Sequence, residues 1–148
     1  MNTNFIKNIE EIIQKDNRYK ADAYEFVMQG LWFTQNKLKK KGHVSGRELL
    51  EGIREFAIEQ YGPMVKILLE HWGIKRTQDF GELVFNMVEK GVLGKNEEDS
   101  RQDFSDVYDF QQAFDIFGVN KTRARRRLAV KKPAPGTKRG RALERRDP

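Results

Sequence analysis

The residues best suited to chemistry in this sequence are the arginines and lysines near its C-terminal end, because their side chains bind phosphate groups. Residues 121–148 hold twelve Lys and Arg against two Asp and Glu, a net charge of +10. Arginine outnumbers lysine there by eight to four, which favours bidentate phosphate contacts and stacking on unpaired bases. The candidate nucleic-acid-binding residues of this segment are Arg123, Arg125, Arg126, Arg127, Lys131, Lys132, Lys138, Arg139, Arg141, Arg145 and Arg146.

A second basic cluster, Lys39, Lys40 and Lys41, follows Lys37 at the end of a predicted helix. Cations are favoured in the last turn of a helix by the helix dipole, so such a run also occurs without a ligand. We nevertheless expect these lysines to assist the C-terminal segment in contacting phosphates.

Charge is divided unequally along the chain. Residues 1–120 hold 16 Lys and Arg against 20 Asp and Glu, a net of −4. The C-terminal segment has three of the four prolines, and beyond Val130 its one larger aliphatic residue is Leu143, so burial cannot offset the entropy lost on ordering. We therefore predict a globular domain over residues 1–120 and a disordered basic tail over residues 121–148.

The tail predicts an anionic partner. Neutralising ~6 phosphates would give a log–log salt dependence of binding with a slope of about −4 to −5. RNA, and ribosomal RNA in particular, is the expected partner, because its unpaired bases accept stacked guanidinium groups. An acidic protein or a merely solubilising role are the alternatives. A membrane surface is not expected, because no amphipathic or lipidated anchor lies beside the tail.

Catalytic and metal-binding groups are sparse. His43 and His71 are the only histidines and there is no cysteine, which excludes thiol chemistry and a histidine-rich metal site within one chain. No nucleophile elbow or phosphate-binding loop is found, and Ser45 is accounted for by helix capping. The acidic residues Glu97, Glu98, Asp99, Asp103, Asp106 and Asp109 lack the spacing of a calcium loop. We expect a non-catalytic protein without a cofactor, in which this acidic stretch is solvated or docks the tail.

Apolar residues recur at helical spacing through most of residues 1–120, so the predicted fold is mainly α. Phe5, Ile6, Ile9, Ile12 and Ile13 give the first example. The pattern predicts five helices, over about residues 5–13, 21–40, 46–61, 63–72 and 78–90. The aromatic residues Trp32, Phe33 and Trp72 are expected in the core.

The predicted helix ends rest on local chemistry. Ser45 and Glu48 form a capping-box pair, and Thr77 is the expected N-cap of the fifth helix. Gly42, Gly73 and Gly91 are the expected stops of the second, fourth and fifth helices.

The fourth and fifth helices resemble a helix-turn-helix in pattern. Two short apolar stretches, Val92–Leu93 and residues 107–110, could add a β-hairpin and so a winged-helix-like fold. A DNA-reading helix should present Arg, Lys, Asn or Gln to base edges. The fifth helix offers Gln78 and Asn86, together with the carboxylates Asp79, Glu82 and Glu89. Packing of helix pairs around a core is the favoured interpretation.

Four segments resemble a family of small, uncharacterised bacterial proteins. They are His43–Arg54 (HVSGRELLEGIR), His71–Ile74 (HWGI), Asp79–Glu82 (DFGE) and Asp106–Phe110 (DVYDF). The likeness covers roughly residues 19–117 and implies one globular bacterial domain. It supplies no activity, cofactor or catalytic residue, and the basic tail lies outside it.

Two functions follow from these patterns. The first is an RNA-binding, ribosome-associated protein that uses its tail for phosphate contacts. The second is a protein-interaction adaptor that binds its partner through the acidic helical domain. A cytoplasmic location is expected, because the first residues lack a signal-peptide pattern and no apolar run approaches the ~20 residues of a membrane span.

Overall fold

The structure, a computed structural model, describes residues 3–94 and 100–115, which form a helical domain. Its helices are α1 (Thr3–Lys15), α2 (Ala21–Leu38), α3 (Gly46–Tyr61), α4 (Val65–His71), α5 (Thr77–Glu89) and α6 (Phe110–Ala113). Short 3₁₀ turns occur at Gly62–Met64 and Arg101–Phe104. The predicted mainly α fold is confirmed, and the basic tail lies outside the described residues. Within the part of the chain that the structure describes, no helix is both long and apolar enough to span a bilayer.

Helix α5 lies at the centre of this domain. It contacts α1, α2, α3 and the Arg101–Phe104 turn. Phe80, Leu83 and Met87 have no exposed surface and form the buried stripe of this helix. Of its thirteen residues only Glu89 is exposed, and the others are buried or half-buried.

Helices α2 and α3 approach each other closely at small residues. A Cβ atom on Gly52 would lie 1.7 Å from Thr34 Oγ1, and one on Gly30 would lie 2.9 Å from Ile53 Cγ1. The Thr34 hydroxyl is buried and donates a hydrogen bond of 2.7 Å to the Gly30 carbonyl oxygen. Glycine is therefore required where the two backbones meet.

Phe104 fills a second close contact, between α3 and α5. Its ring lies 3.2 Å from a Cβ built on Gly46, and its side chain lies 2.9 Å from one built on Gly81. The buried Thr77 hydroxyl donates a hydrogen bond of 2.6 Å to the Phe104 carbonyl oxygen. The Arg101–Phe104 turn is thereby attached to the central helix.

Most predicted helix ends are confirmed. The Ser45 hydroxyl accepts from the Glu48 amide at 3.1 Å, and the Glu48 carboxylate accepts from the Ser45 amide at 2.8 Å. Gly73 and Gly91 have φ angles of +96° and +84°, and each follows the last turn of its helix in a left-handed conformation. Glycine adopts this conformation without the steric cost of a Cβ atom.

Two predicted ends are wrong. Helix α2 ends at Leu38 rather than near Gly42, and Lys39 takes the left-handed conformation with a φ of 56°. Thr77 is not the N-cap of α5, because its hydroxyl is used in the contact with Phe104. The Asp79 carboxylate instead accepts from the amides of Lys75 and Arg76, at 2.8 and 3.1 Å.

The predicted β-hairpin is absent from residues 3–94 and 100–115. The Val92 and Leu93 amides both donate to the Met87 carbonyl oxygen, so this apolar pair closes the end of α5. In the other stretch, the Val107 amide donates to the Thr77 hydroxyl at 3.1 Å, and Phe110 begins α6. Both stretches are apolar because they cover the core from a loop.

The prediction that Trp32, Phe33 and Trp72 lie in the core is wrong for one of the three residues, Trp32. Its side chain is 52% exposed on the outer face of α2, whereas Trp72 is buried. Phe33 packs against Phe56 with ring centroids 5.5 Å apart. The expectation of core packing therefore holds for Phe33 and Trp72 and is wrong for Trp32.

Replacing Gly52 by alanine should destabilise the domain. The new methyl group would meet Thr34, which cannot withdraw because it is buried and hydrogen-bonded. We expect a loss of about 1–3 kcal/mol in the free energy of unfolding, measured by urea denaturation. Alanine is intrinsically a better helix former than glycine by about 1 kcal/mol. A net loss in the free energy of unfolding would therefore show that the clash outweighs this preference.

The matched control is Gly42→Ala. Nothing lies within 4 Å of a Cβ built on Gly42, so its substitution should change the free energy of unfolding by less than about 0.5 kcal/mol. A Gly52→Ala protein as stable as the Gly42→Ala protein would contradict the close packing of α2 and α3.

Candidate functional site

The predicted basic cluster lies where α2 leads into α3. Lys39, Lys40 and Lys41 directly follow α2 and are exposed. A further exposed cation, Arg47, lies in the first turn of α3. We call residues 39–47 the basic loop. The eleven predicted binding residues of the tail lie outside the described residues.

Part of this charge is already neutralised. Lys40 Nζ lies 2.8 Å from a Glu48 carboxylate oxygen, and Lys37 forms an ion pair with Glu55. Lys39 and Lys41 make no ion pair with another described residue, which leaves their ammonium groups available to an anion. The sequence alone could not separate these two lysines from the paired ones.

A cleft of about 550 Å³ opens beside the basic loop. Its lining comes from α2, the basic loop, the start of α3, α5 with the residues that follow it, and Phe104. The described lining residues are Val27, Leu31, Gln35, Gly42, His43, Val44, Gly46, Leu49, Val84, Phe85, Val88, Leu93, Gly94 and Phe104.

The cleft is apolar inside and polar at its mouth. Val27, Val44, Leu49 and Phe104 are buried at its base. Leu31, Val84, Phe85, Val88 and Leu93 are half-buried, and line the space between the helices. The exposed His43 is also a lining residue, and Gln35 Nε2 donates to the Gly42 carbonyl oxygen at 2.9 Å. Such a site suits an apolar group oriented by a few polar contacts.

The sequence analysis missed this cleft. Its lining residues come from four separate parts of the chain, and the apolar residues among them that lie in α2, α3 and α5 look like ordinary core positions. Phe85 and Val88 are the only local signal, because they extend the apolar surface of α5 beyond its buried stripe. The two histidines do not meet as a site: His43 lines the cleft and His71 ends α4.

A polar network joins the α1–α2 connection to α5 and to the Arg101–Phe104 turn. Arg18 pairs with Asp16 at 2.6 Å and with Glu82 at 3.0 Å, and Arg101 also pairs with Glu82. The Asn86 amide donates to Asp16 at 3.0 Å and to the buried Tyr24 hydroxyl at 3.1 Å. We call these residues the arginine network.

The arginine network is arranged for stability rather than for proton transfer. The hydrogen bond from Arg18 holds the pKa of Asp16 well below its ordinary value, with a second contribution from Asn86. Burial opposes ionisation of Glu82, but hydrogen bonds from Arg18 and Arg101 keep its pKa below the usual range. A general acid at neutral pH needs a raised pKa, so neither carboxylate suits that role.

Buried tyrosines show the opposite shift. Burial, followed by the hydrogen bond to Asp79, raises the pKa of Tyr19, whose hydroxyl lies 2.6 Å from that carboxylate. Burial also raises the pKa of Tyr108, which donates to the Leu50 carbonyl oxygen at 2.8 Å. Both hydroxyls act as hydrogen-bond donors in the core, and they stay protonated at neutral pH.

A metal centre finds no support in residues 3–94 and 100–115, where no three His, Cys, Asp or Glu side chains gather around one point. The acidic residues that the sequence grouped together have separate roles. Asp103 accepts from the Ser100 amide at 2.9 Å, and Asp106 accepts from Gln78 at 3.0 Å. Glu97, Glu98 and Asp99 lie outside the described residues.

A DNA-reading role for α5 is disfavoured by its position. A recognition helix needs an exposed face for the major groove, but the α5 residues other than Glu89 are buried or half-buried. The polar residues Gln78 and Asn86 are already hydrogen-bonded within the domain.

No protein family, curated protein or solved structure matches this chain in the comparisons made. The resemblance to small bacterial proteins therefore stays a prediction.

The arginine network predicts an acid-sensitive contribution to stability. Because the pKa of Asp16 is lowered by folding, its stabilising effect is fully present above pH ~4 and is lost as the pH falls towards the lowered value. Asp16→Asn should cost about 1 kcal/mol at pH 7, and its difference from the original protein should shrink at pH 3.

Urea denaturation at both pH values measures this difference. Glu59→Gln, at an exposed position outside the network, is the control that removes one carboxylate elsewhere. A constant difference between the Asp16→Asn and original proteins at pH 7 and pH 3 would contradict the assigned role of the ion pair.

Proposed function

We propose that this protein binds RNA, with residues 121–148 supplying most of the phosphate contacts. The observation that carries the proposal is the charge division: +10 in the tail against −4 in residues 1–120. Electrostatic contact with phosphates dominates the affinity of such segments and needs no defined fold. Ribosomal RNA in the cytoplasm is the proposed target, because it is structured and carries exposed, unpaired bases.

The charges of the helical domain are in keeping with a tail that supplies most of the phosphate contacts. Its described acidic residues slightly outnumber its basic ones, 17 to 15, and several of its lysines and arginines form ion pairs with carboxylates. Lys39, Lys41 and Arg47 remain as exposed cations of the basic loop that pair with no other described residue. We propose that the domain contributes a secondary phosphate contact through this loop, and that the tail supplies affinity.

A protein-interaction adaptor is the second candidate, favoured by exposed apolar side chains. Met64, which directly precedes α4, and Ile67, in its first turn, are 49% and 60% exposed and lie three residues apart. Side chains with this spacing share one helix face, so they would form a small apolar patch for another protein. This candidate predicts partner binding that does not require residues 121–148.

The RNA proposal is tested by salt-dependent binding of the full chain to an RNA hairpin with an unpaired loop. With ~6 phosphate contacts, the log–log slope should be about −4 to −5. Changing Arg123, Arg125, Arg126 and Arg127 together to glutamine should reduce the steepness of the slope by about 3, because each lost contact removes ~0.7–0.9. Filter binding between 50 and 200 mM salt measures both values.

The matched control changes the same four arginines to lysine. Charge is kept, so the slope should be unchanged, while the affinity should fall because lysine cannot form bidentate contacts or stack as guanidinium does. An unchanged slope in the glutamine variant would contradict the proposed phosphate contacts.

Ribosome association is tested separately by co-sedimentation from a bacterial lysate. The full chain should sediment with ribosomes at low salt, and a chain ending at Asn120 should not. If the shortened chain still sediments, the helical domain carries the interaction and the adaptor hypothesis is favoured.

A further inference from the structure

The cleft beside the basic loop has no part in the proposed RNA contact of the tail. Its volume of about 550 Å³ lies within the range of small-molecule sites, which is about 300–1,000 Å³. A stable core does not require an opening of this size, because protein interiors are otherwise close-packed.

The walls restrict the occupant to an apolar body. Leu31 and Val84 are half-buried on opposite helices, and Phe85 and Val88 continue the wall of α5. A Phe85–Phe104 edge-to-face pair, with centroids 6.1 Å apart, fixes one side of the cleft. Arg101 lies over the Phe85 ring at 5.1 Å, which further holds that ring in place. Among the described lining residues, the walls from α2 and α5 offer no charged group to balance a charge on the inserted body.

The basic loop adds positive charge beside the cleft. Gly42 and His43 line the cleft, and Lys41 directly precedes them, with its Cα about 3.8 Å from that of Gly42. Lys39 and Lys41 are exposed and pair with no other described residue, whereas Lys40 neutralises Glu48. An apolar cleft bordered by a loop with two such ammonium groups matches a ligand with an apolar chain and one anionic head.

A carboxylate on α5 defines the competing ligand. The exposed Glu89 follows the lining residue Val88 and would favour a cationic head. The basic loop has the stronger case, because its Lys39, Lys41 and Arg47 pair with no other described residue and outnumber this one carboxylate.

We propose that this cleft binds a small amphipathic anion, an alkyl monocarboxylate whose chain lies between α2 and α5 and whose head contacts Lys39 and Lys41. The inference is independent of RNA binding by the tail. It gives the helical domain a ligand of its own.

Calorimetric titration of the full chain with octanoate, decanoate, decan-1-ol and decylamine tests the proposal. Decanoate should bind more tightly than octanoate by about fourfold for each CH₂ group that becomes buried. It should also bind more tightly than decan-1-ol, and decylamine should bind most weakly. Decylamine binding as tightly as decanoate, an affinity independent of chain length, or no measurable binding of decanoate would overturn the proposal.

Surface variants test the position of the head. Lys39→Gln with Lys41→Gln should weaken decanoate about threefold to tenfold and leave decan-1-ol unchanged. The control, Lys20→Gln with Lys75→Gln, removes the same charge at exposed positions that do not line the cleft, and should change neither affinity. Equal effects of the two double variants on decanoate would overturn the assigned head contact.

A filled cleft tests the position of the chain. Val88→Phe adds bulk to the α5 wall and should lower the affinity for decanoate and decan-1-ol alike. A thermal unfolding midpoint close to that of the original protein establishes that the variant is folded. Unchanged binding of both ligands by the folded variant would place them elsewhere and overturn the proposal.

Discussion

The close approach of α2 and α3 at Thr34 and Gly52 is the constraint on which the rest of the domain depends. A side chain at Gly52 would occupy the position of Thr34, so the two helices can meet only because this residue is glycine. Their contact also sets Phe26 against Phe56, with ring centroids 5.6 Å apart, and so fixes the aromatic core. The basic loop, which joins these helices, is held at one end of the pair. The mouth of the cleft is thereby held as well.

Phe104 extends this arrangement to the central helix. It packs where Gly46 and Gly81 leave room, and Thr77 holds its carbonyl oxygen. Several residues in the segments that resemble a bacterial family therefore have packing roles in this chain.

Local chemistry made the helices predictable, while long-range contacts determined where prediction failed. Apolar spacing and the Ser45–Glu48 pair depend on residues within one or two turns, and both were correct. Thr77 was predicted as a cap because its partner, Phe104, is 27 residues away. The cleft could not be predicted, because its lining residues meet only after α2, α5 and the basic loop have packed. The lysine cluster was found from composition alone, but its pairing with Glu48 required the structure.

In the proposed function, the tail contacts phosphates, and the central helix of the domain is not available to nucleic acid. Ultraviolet cross-linking of the full chain to RNA, with the modified peptides identified by mass spectrometry, tests this division most directly. The account predicts cross-links within residues 121–148, with a minor set in the basic loop. Cross-links concentrated on α4 and α5, with none in residues 121–148, would contradict it.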